Sequence, residues 1–202
     1  MSDERQNDET LFQNVASSPA DDGSPLFIRR SSLFLASSNP GKLREFTEAA
    51  ALRNVTVESL PGFSELTVCI EDGATFEENA RKKAIHYSRN SSGLVFADDS
   101  GICVDALDGA PGIFSARFAG SQATDAENNQ RLLADLHLVE ARRRAHAFHT
   151  PKPHGLFNRA AHYVCAIALA QAGQVITVVE GSVEGVIIDE PRGTGGFGSS
   201  GR

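Results

Sequence analysis

Two adjacent carboxylates inside an apolar stretch constrain this chain more than any other feature of its sequence. Apolar residues predominate at positions 94–97 and 102–107, and between them lie Asp98, Asp99, Ser100 and Gly101. A charge at the end of a buried strand is costly unless it is paired or holds a metal. Adjacent carboxylates also disfavour each other's ionisation, so a bound cation explains why both are present. The alternative is an exposed turn that joins two separate strands.

Composition is typical of soluble globular proteins. The 202 residues suffice for one domain with a full core, and 41% of them are hydrophobic and 22% charged. The formal net charge of -7 argues against a general nucleic-acid or membrane-surface binder. The sequence contains no apolar run of membrane-spanning length and no signal-peptide pattern. All three cysteines lie among apolar neighbours, which favours reduced, buried thiols and predicts a cytoplasmic location.

The chain divides into a polar leader and a folded domain. Residues 1–30 are mostly polar, acidic at first, and rich in serine and proline toward residue 25. So little apolar surface cannot offset the entropy lost on ordering, which predicts a disordered leader. We expect residues 31–202 to form the folded domain.

A candidate anion site follows the first expected strand. Residues 33–36 are typical of a short buried strand, and a helical apolar pattern begins near Gly41 or Lys42. The connection, which we call the anion turn, consists of Ser37, Ser38, Asn39, Pro40, Gly41 and Lys42. Backbone N–H groups at a helix N-terminus bind anions, and Lys42 adds a positive charge suited to phosphate. The alternative is a plain strand-to-helix connection.

A second helix is expected to begin after Thr75. Thr75 and Glu78 form a capping-box pattern, and apolar residues then recur at helical spacing through Tyr87. Glu71 lies just before this helix. Taken alone it is more typical of a solvated loop, and it becomes a metal-ligand candidate only when another ligand meets it in space.

The sequence pattern of the second half of the chain predicts one more helix and a hairpin. Thr124 and Glu127 form another capping-box pattern, which opens a helix through Leu136. Residues 140–159 lack a regular pattern, so we expect a loop there. Residues 162–170 and 174–179 flank a turn and predict a hairpin, and residues 183–188 predict a further strand.

Five motifs follow one another between about residue 33 and residue 198. They occupy residues 37–42, 71–80, 97–101, 109–117 and 193–198. Taken together and in this order, they closely resemble the family of noncanonical purine nucleoside triphosphate pyrophosphatases, also called the inosine triphosphatase or Ham1-like family. Any one motif alone would be weak, whereas all of them in register make the resemblance highly specific.

The resemblance implies a fold, an activity and an assembly. The implied fold is α/β, in which helices flank a mixed, twisted central sheet and two lobes enclose a nucleotide cleft. The implied enzyme is an acid-anhydride hydrolase that converts inosine, deoxyinosine and xanthosine triphosphates to the monophosphate and pyrophosphate. The resemblance also implies a requirement for Mg²⁺ and a homodimeric assembly.

The resemblance also implies roles for particular residues of this chain. The anion turn matches the segment that holds the triphosphate, and Glu71 and Asp99 match the metal ligands. Asp99 also matches the proton acceptor, and the matching substrate contacts are Ser100, Phe197 and Gly198. Because a carboxylate bound to Mg²⁺ is a weakened base, Asp98 remains an alternative proton acceptor. We therefore expect Glu71 and both adjacent aspartates to converge on one Mg²⁺ that faces the anion turn.

The C-terminus departs from the family pattern. After the Phe-Gly dipeptide the family continues with Tyr-Asp-Pro and later with a Lys and a Ser-His-Arg motif, whereas this sequence ends after residues 199–202. We interpret the difference as a truncation or frame shift that removes the C-terminal segment. Two alternatives to the implied function follow from it. One is a catalytically impaired remnant that binds nucleotide, and the other is a triphosphate pyrophosphatase of broader base specificity.

Overall fold

Five strands and three α-helices make up the described part of the computed structural model, which comprises residues 32–147 and 158–189. The strands are β1 (Ser32–Leu35), β2 (Thr56–Ser59), β3 (Leu94–Val104), β4 (Ala160–Gln171) and β5 (Gln174–Val186). The helices are α1 (Pro40–Ala51), α2 (Phe76–Ser88) and α3 (Asp125–Ala147). The expected leader, residues 1–30, and the candidate residues Phe197 and Gly198 lie outside the described residues.

The strands form one mixed sheet in the order β2-β1-β3-β4-β5. The first half is parallel, because β1 lies parallel to both β2 and β3, and each connection between these strands contains a helix. The second half is antiparallel, since β4 pairs with β3 and then with β5. Ala172 and Gly173 have positive φ angles of 50° and 82°, which suit a tight hairpin turn between β4 and β5. The predicted α/β class with a mixed central sheet is therefore confirmed.

Helices cover both faces of the sheet. On one face, which we call the α1 face, α1 packs through Leu43 and Phe46 against the buried residues Leu35, Val57 and Phe96. On the opposite face, the α2 face, helix α2 packs against small side chains, and the buried residues there include Ala80, Ala84, Val95, Ala97, Ala166, Ala168 and Ala170. The two sets alternate along β3, as successive side chains of a strand must. Helix α3 packs near the end of β3, where Leu132 and Leu136 contact Val104.

The capping residues set the helix starts where the sequence predicts them. Thr75 Oγ1 accepts a hydrogen bond from Glu78 N at 3.1 Å, and α2 begins at the next residue. Before α3, Thr124 and Glu127 bond reciprocally, since Thr124 N donates to the Glu127 carboxylate at 2.6 Å and Glu127 N donates to Thr124 Oγ1 at 3.3 Å. Both capping-box predictions are confirmed.

Three boundaries differ from the sequence-based expectations. The strand β3 is continuous over 11 residues, so the adjacent aspartates lie inside one strand and not between two. Antiparallel pairing with β4 explains this continuity, because Asp98 and Asp99 are in register with Ile167 and Ala166. Helix α3 extends to Ala147, well into the segment expected to be a loop. The two strands expected at 174–179 and 183–188 are one strand, β5, which ends at Val186.

The remaining global expectations concern membranes and thiols. None of the helices in residues 32–147 and 158–189 is long and apolar enough to cross a bilayer. Cys69, Cys103 and Cys165 are all free thiols, with Cys69 buried and the other two partly buried. The full burial that the sequence predicts for all three is found only at Cys69.

Candidate functional site

The anion turn and Asp98 meet at the point where the chain reverses its order in the sheet. From β1 the chain crosses to β2 on one side and then returns to β3 on the other side of β1. Ligands of open α/β sheets bind outside the carboxyl ends of the strands at such a switch point. The ladder between β1 and β3 ends at the pair Leu35 and Phe96, so the anion turn and Asp98 both lie just beyond it.

Asp98 lies on the α1 face and forms an ion pair with Lys42. Lys42 Nζ lies 2.7 Å from Asp98 Oδ2, and the side chains are only 11% and 4% exposed. Lys42 belongs to the first turn of α1, so this ion pair ties the helix N-terminus to β3. The ion pair thereby holds the Lys42 charge beside the backbone of the anion turn.

Two side chains of the anion turn, those of Ser37 and Asn39, bond to its own backbone. Asn39 caps α1, since its Oδ1 accepts hydrogen bonds from Gly41 N at 2.7 Å and Lys42 N at 3.3 Å. Ser37 Oγ accepts a hydrogen bond from Asn39 N at 3.1 Å. These bonds fix the conformation of the turn and direct the N-terminus of α1 toward the end of β1.

Ser100 also lies on the α1 face, two residues beyond Asp98. Its Oγ accepts a hydrogen bond from the Tyr163 hydroxyl at 3.0 Å. Tyr163 belongs to β4, so this bond joins the two central antiparallel strands across the α1 face. The substrate-contact candidate Ser100 is thus held by a neighbouring strand.

Asp99 points to the opposite, α2 face, where the Lys83 ammonium bridges it to Glu71. Lys83 Nζ lies 3.3 Å from Asp99 Oδ1 and 3.2 Å from Glu71 Oε2. Asn79 Nδ2 donates to the other oxygen of Asp99 at 3.0 Å. We call Glu71, Asp99, Lys83 and Asn79 the α2-face cluster. It combines two carboxylates, one ammonium and one buried amide.

Hydrogen bonds on both sides of Glu71 hold its loop against α2. Asn79, which is fully buried, accepts a hydrogen bond from Gly73 N at 2.8 Å. A Cβ atom at Gly73 would lie 2.7 Å from the Asn79 oxygen, so this close approach requires glycine. On the other side, Cys69 N donates to the Tyr87 hydroxyl at 3.1 Å. Glu71 is therefore not a free loop side chain, and its backbone is placed opposite β3.

Burial has the largest effect on the pKa of Asp99 and of the nearby Cys165 thiol. Burial raises the pKa of Asp99, and the Lys83 ammonium and the Asn79 hydrogen bond act in the opposite direction. Burial also raises the pKa of the Cys165 thiol to about 11. Charges on both faces of the sheet have smaller effects on the pKa of that thiol, since Asp98 and Asp99 raise it and Lys42 and Lys83 lower it.

The structure thus separates the acidic pair that the sequence suggested would act together. Glu71 and Asp99 meet, as expected, but Asp98 faces away from them and binds Lys42 instead. The expectation that all three carboxylates converge on one cation is therefore wrong for Asp98, because adjacent residues of a strand point to opposite faces.

Sequence reasoning missed Asn79 and Lys83. The signal was present in the helical pattern of α2, where both residues fall on the same face as the buried Phe76, Ala80 and Ala84. Polar side chains on an otherwise buried stripe of a helix require polar partners. Here those partners are Gly73, Asp99 and Glu71.

The α2-face cluster is chemically suited to a hard divalent cation. Among the described residues, no group of three or more His, Cys, Asp or Glu side chains is arranged to hold a metal. Mg²⁺ in nucleotide sites needs only one or two carboxylates, because phosphate oxygens and water complete its octahedron. Glu71 and Asp99 already share one cationic group, the Lys83 ammonium, so the two oxygens are placed to bind a cation between them.

Comparison with known proteins gives relatives over most of the chain. A profile of the Ham1 family matches residues 33–151 and 152–199. The dITP/XTP pyrophosphatase of Bacillus licheniformis is 42% identical over 166 residues, which cover 82% of this chain and 77% of the relative. The dITP/XTP pyrophosphatase of Geobacter sulfurreducens is 44% identical over 167 residues, which cover 82% of this chain and 76% of the relative.

Solved structures agree with this result. A Ham1 protein from Coxiella burnetii has a TM-score of 0.64 and 36% identity, and the match covers 83% of this chain and 78% of that one. The Ham1 protein of Staphylococcus aureus has a TM-score of 0.63 and 32% identity, with coverage of 83% and 77%. The resemblance inferred from the five motifs is confirmed, and the chain belongs to the Ham1 family.

Proposed function

We propose that this protein hydrolyses noncanonical purine nucleoside triphosphates, including dITP, XTP and ITP, to the monophosphate and pyrophosphate. Relatives named dITP/XTP pyrophosphatase are 42% and 44% identical to this chain over the aligned 82% of its length. The observation that carries the proposal is the arrangement of charges at the switch point of the sheet. Lys42 lies at the anion turn on one face, and the Glu71–Asp99 pair lies on the other face of the same strand.

Each part of the site has a proposed task. The anion turn, residues 37–42, binds the triphosphate through the N-terminus of α1 and the charge of Lys42. Ser100 contacts the substrate from the α1 face. Phe197 and Gly198, which lie outside the described residues, are further substrate contacts that the family resemblance implies. Glu71 and Asp99 would hold Mg²⁺, which neutralises the charge that develops as pyrophosphate leaves.

A water molecule that attacks the α-phosphorus must give its proton to a base. We assign that base to Asp99, which also accepts a hydrogen bond from Asn79 and so has a fixed orientation. Asp98 is the less suitable candidate, because one of its oxygens is engaged by the Lys42 ammonium at 2.7 Å. Lys83, beside Asp99 and Glu71, adds positive charge where phosphate oxygens would lie.

Release of pyrophosphate tests the proposal. We expect rapid release from ITP, dITP and XTP in the presence of Mg²⁺, much slower release from dGTP and dTTP, and loss of activity when EDTA removes the metal. Equal rates with dTTP would favour a pyrophosphatase of broader specificity. No release from any triphosphate would contradict the proposal and favour a remnant that only binds nucleotide.

We also propose that the protein is a cytoplasmic homodimer, as the family resemblance implies. Its reduced cysteines agree with a reducing compartment. Light scattering coupled to size-exclusion chromatography measures the assembly directly. A mass near 43 kDa, about twice the 21.5 kDa of one chain, is expected for the dimer, and the mass of one chain would contradict it.

A further inference from the structure

We propose that Lys83 is an internal counter-ion that takes the place of the divalent cation in the nucleotide-free protein. In this proposal, the ammonium and the metal compete for the same two carboxylates, Glu71 and Asp99. The inference rests on the proposed function only in taking these two residues as metal ligands. It adds that the Lys83 ammonium occupies the metal position until substrate binds.

The position of the ammonium is the first argument. Lys83 Nζ lies 3.2 Å from Glu71 Oε2 and 3.3 Å from Asp99 Oδ1, so it bridges the two carboxylates almost symmetrically. Its side chain is only 11% exposed, and that of Asp99 is 14% exposed. A partly buried pair of carboxylates requires a cation nearby, because two like charges with little water around them disfavour each other's ionised form.

The second argument is that the neighbouring lysines are engaged elsewhere. Lys42 pairs with Asp98 on the α1 face at 2.7 Å. Lys82, the next residue to Lys83 in α2, pairs with Asp72 at 2.6 Å and is 42% exposed. Each of these ammonium groups has a carboxylate of its own, whereas Lys83 is shared between two.

The third argument is that Lys83 is not needed to hold the loop. Hydrogen bonds from Gly73 N to Asn79 and from Cys69 N to Tyr87 already fasten the backbone on both sides of Glu71. Asn79 also orients Asp99. What Lys83 adds to this framework is charge, carried on a flexible four-carbon side chain that can turn from one anion to another.

These observations predict an exchange of cations when substrate binds. The triphosphate supplies anionic oxygens to which the Lys83 ammonium can turn, and the carboxylates are then available to the divalent cation. No covalent bond changes, and the lysine remains protonated throughout. In the absence of nucleotide the same lysine should weaken metal binding, both by occupying the position and by repelling a second cation.

The test measures binding of Mn²⁺, which has the same preference for oxygen ligands as Mg²⁺, to the nucleotide-free protein by electron paramagnetic resonance. We expect Lys83→Met to bind Mn²⁺ roughly tenfold more tightly than the wild type, because a repelling charge is removed from a partly buried site. The matched control is Lys82→Met, which removes the same charge from the adjacent, solvent-exposed position. It should change the affinity by no more than about twofold.

A second variant and a stability measurement complete the design. Lys83→Arg keeps the positive charge and should not tighten Mn²⁺ binding. If Lys83→Met is unstable without metal, Mn²⁺ should restore its thermal stability and raise its melting temperature more than that of the wild type. A Lys83→Met variant that binds Mn²⁺ no more tightly, or that stays unfolded with saturating Mn²⁺, would overturn the inference.

Failure of the inference is distinguishable from failure of the proposed function. If the wild type releases pyrophosphate from dITP with Mg²⁺ while Lys83→Met shows unchanged or weaker Mn²⁺ binding, only the counter-ion role is wrong. If the wild type releases no pyrophosphate from any triphosphate, the proposed function is wrong, whatever the affinity for Mn²⁺.

Discussion

Adjacent side chains of β3 belong to different surroundings, and this determines what each carboxylate can do. Asp98 meets the N-terminal turn of α1 through Lys42, and Asp99 meets α2 through Asn79 and Lys83. Each carboxylate has a nearby positive charge, so both are compensated without sharing a cation. The acidic pair therefore consists of two separate sites at neighbouring positions.

Substitution of each aspartate by asparagine should separate the two sites kinetically. We expect Asp99→Asn to lower kcat by about 100-fold or more, because the proposed base and metal ligand is lost. Asp98→Asn should mainly raise KM, by about tenfold, because Lys42 loses the partner that holds it beside the anion turn. Steady-state kinetics with dITP and Mn²⁺ binding check both. Equal losses of kcat with unchanged KM would contradict the separation.

The sequence predicted the residue types of the site better than their grouping. Glu71 and the acidic pair were recognised from their motifs, but the apolar residues on both sides of the pair did not reveal a single strand. Without that strand, the opposite orientation of Asp98 and Asp99 cannot be deduced. Lys83 stands beside Lys82 in a charged helix, and only its place on the same helical face as Ala80 and Ala84 distinguishes it from the exposed lysine.

At the scale of elements, helix α2 approaches the sheet over a surface of small side chains. Ala97, Ala166, Ala168 and Ala170 form the buried surface of β3 and β4 beneath it, and Ala80 and Ala84 face them from the helix. Small residues on both sides allow a close approach of backbone to backbone. That approach places Asn79 and Lys83 within reach of Asp99.

A larger side chain at this contact should therefore cost stability and disturb the site. We expect Ala84→Leu to lower the free energy of unfolding by about 1–3 kcal/mol, because a fully buried position cannot accept three more carbon atoms. Ala49→Leu, on the exposed side of α1, should change it by no more than about 0.5 kcal/mol. Urea denaturation measures both. A buried variant as stable as the exposed one would contradict the close packing.

Helix starts were predictable and one helix end was not. The capping residues Thr75 and Thr124 mark the starts of α2 and α3 in the sequence itself. The end of α3 was placed too early because the segment after Leu136 loses its apolar repeat. In the structure, the buried residue that continues the helix there is Glu140, whose partner Arg159 is distant in sequence. A sequence pattern based on apolar residues does not register such a contact.

On the scale of the whole molecule, a network of charges joins α3 to the residue before β4 and to the chain after β5. The Arg159 guanidinium contacts both oxygens of Glu140, with Nε–Oε1 2.7 Å and Nη2–Oε2 3.2 Å. It also donates to Asp189 at 2.8 Å, and His137 Nε2 lies 2.8 Å from the same Asp189 oxygen. The network therefore connects α3, the start of β4 and the chain after β5.

This network should contribute to the pH dependence of stability. The Arg159 hydrogen bonds hold the pKa of Glu140 below its usual value. A carboxyl whose pKa is lower in the folded state stabilises the fold above its unfolded pKa, and the contribution is lost as pH falls through the folded pKa. We expect Glu140→Gln to cost about 1–3 kcal/mol at pH 7 and progressively less below about pH 4.

Urea denaturation of the wild type and the Glu140→Gln variant across this pH range measures the effect. The two stability curves should approach each other as the solution becomes more acidic. Curves that remain parallel from pH 7 to pH 3 would contradict a stabilising role of the ionised Glu140 carboxylate.

The fold class was predictable from the sequence, but the distances between the site residues were not. The family resemblance carried by the five motifs implied a mixed α/β sheet, which the structure and the Ham1 relatives confirm. The approach of Glu71 to Asp99 depends on a loop held by Asn79 and Tyr87, and those contacts arise only once α2 lies on the sheet. The two-lobed cleft and the shortened C-terminal segment stay predictions.

The alternation of side chains along β3 limits where the length of this chain can change. Removal or insertion of a single residue between Leu94 and Asp98 would turn every later side chain of the strand to the other face. A deletion would bring Asp99 to Lys42 and Ser100 to Lys83, whereas an insertion would bring Ala97 to Lys42 and Asp98 to Lys83. In either case one of the two lysines loses its partner on β3. Length changes in the connection after α1 carry no such penalty, because that segment lies outside the strands. Indels in this lineage should therefore be absent from that five-residue interval while occurring freely in the connections around it.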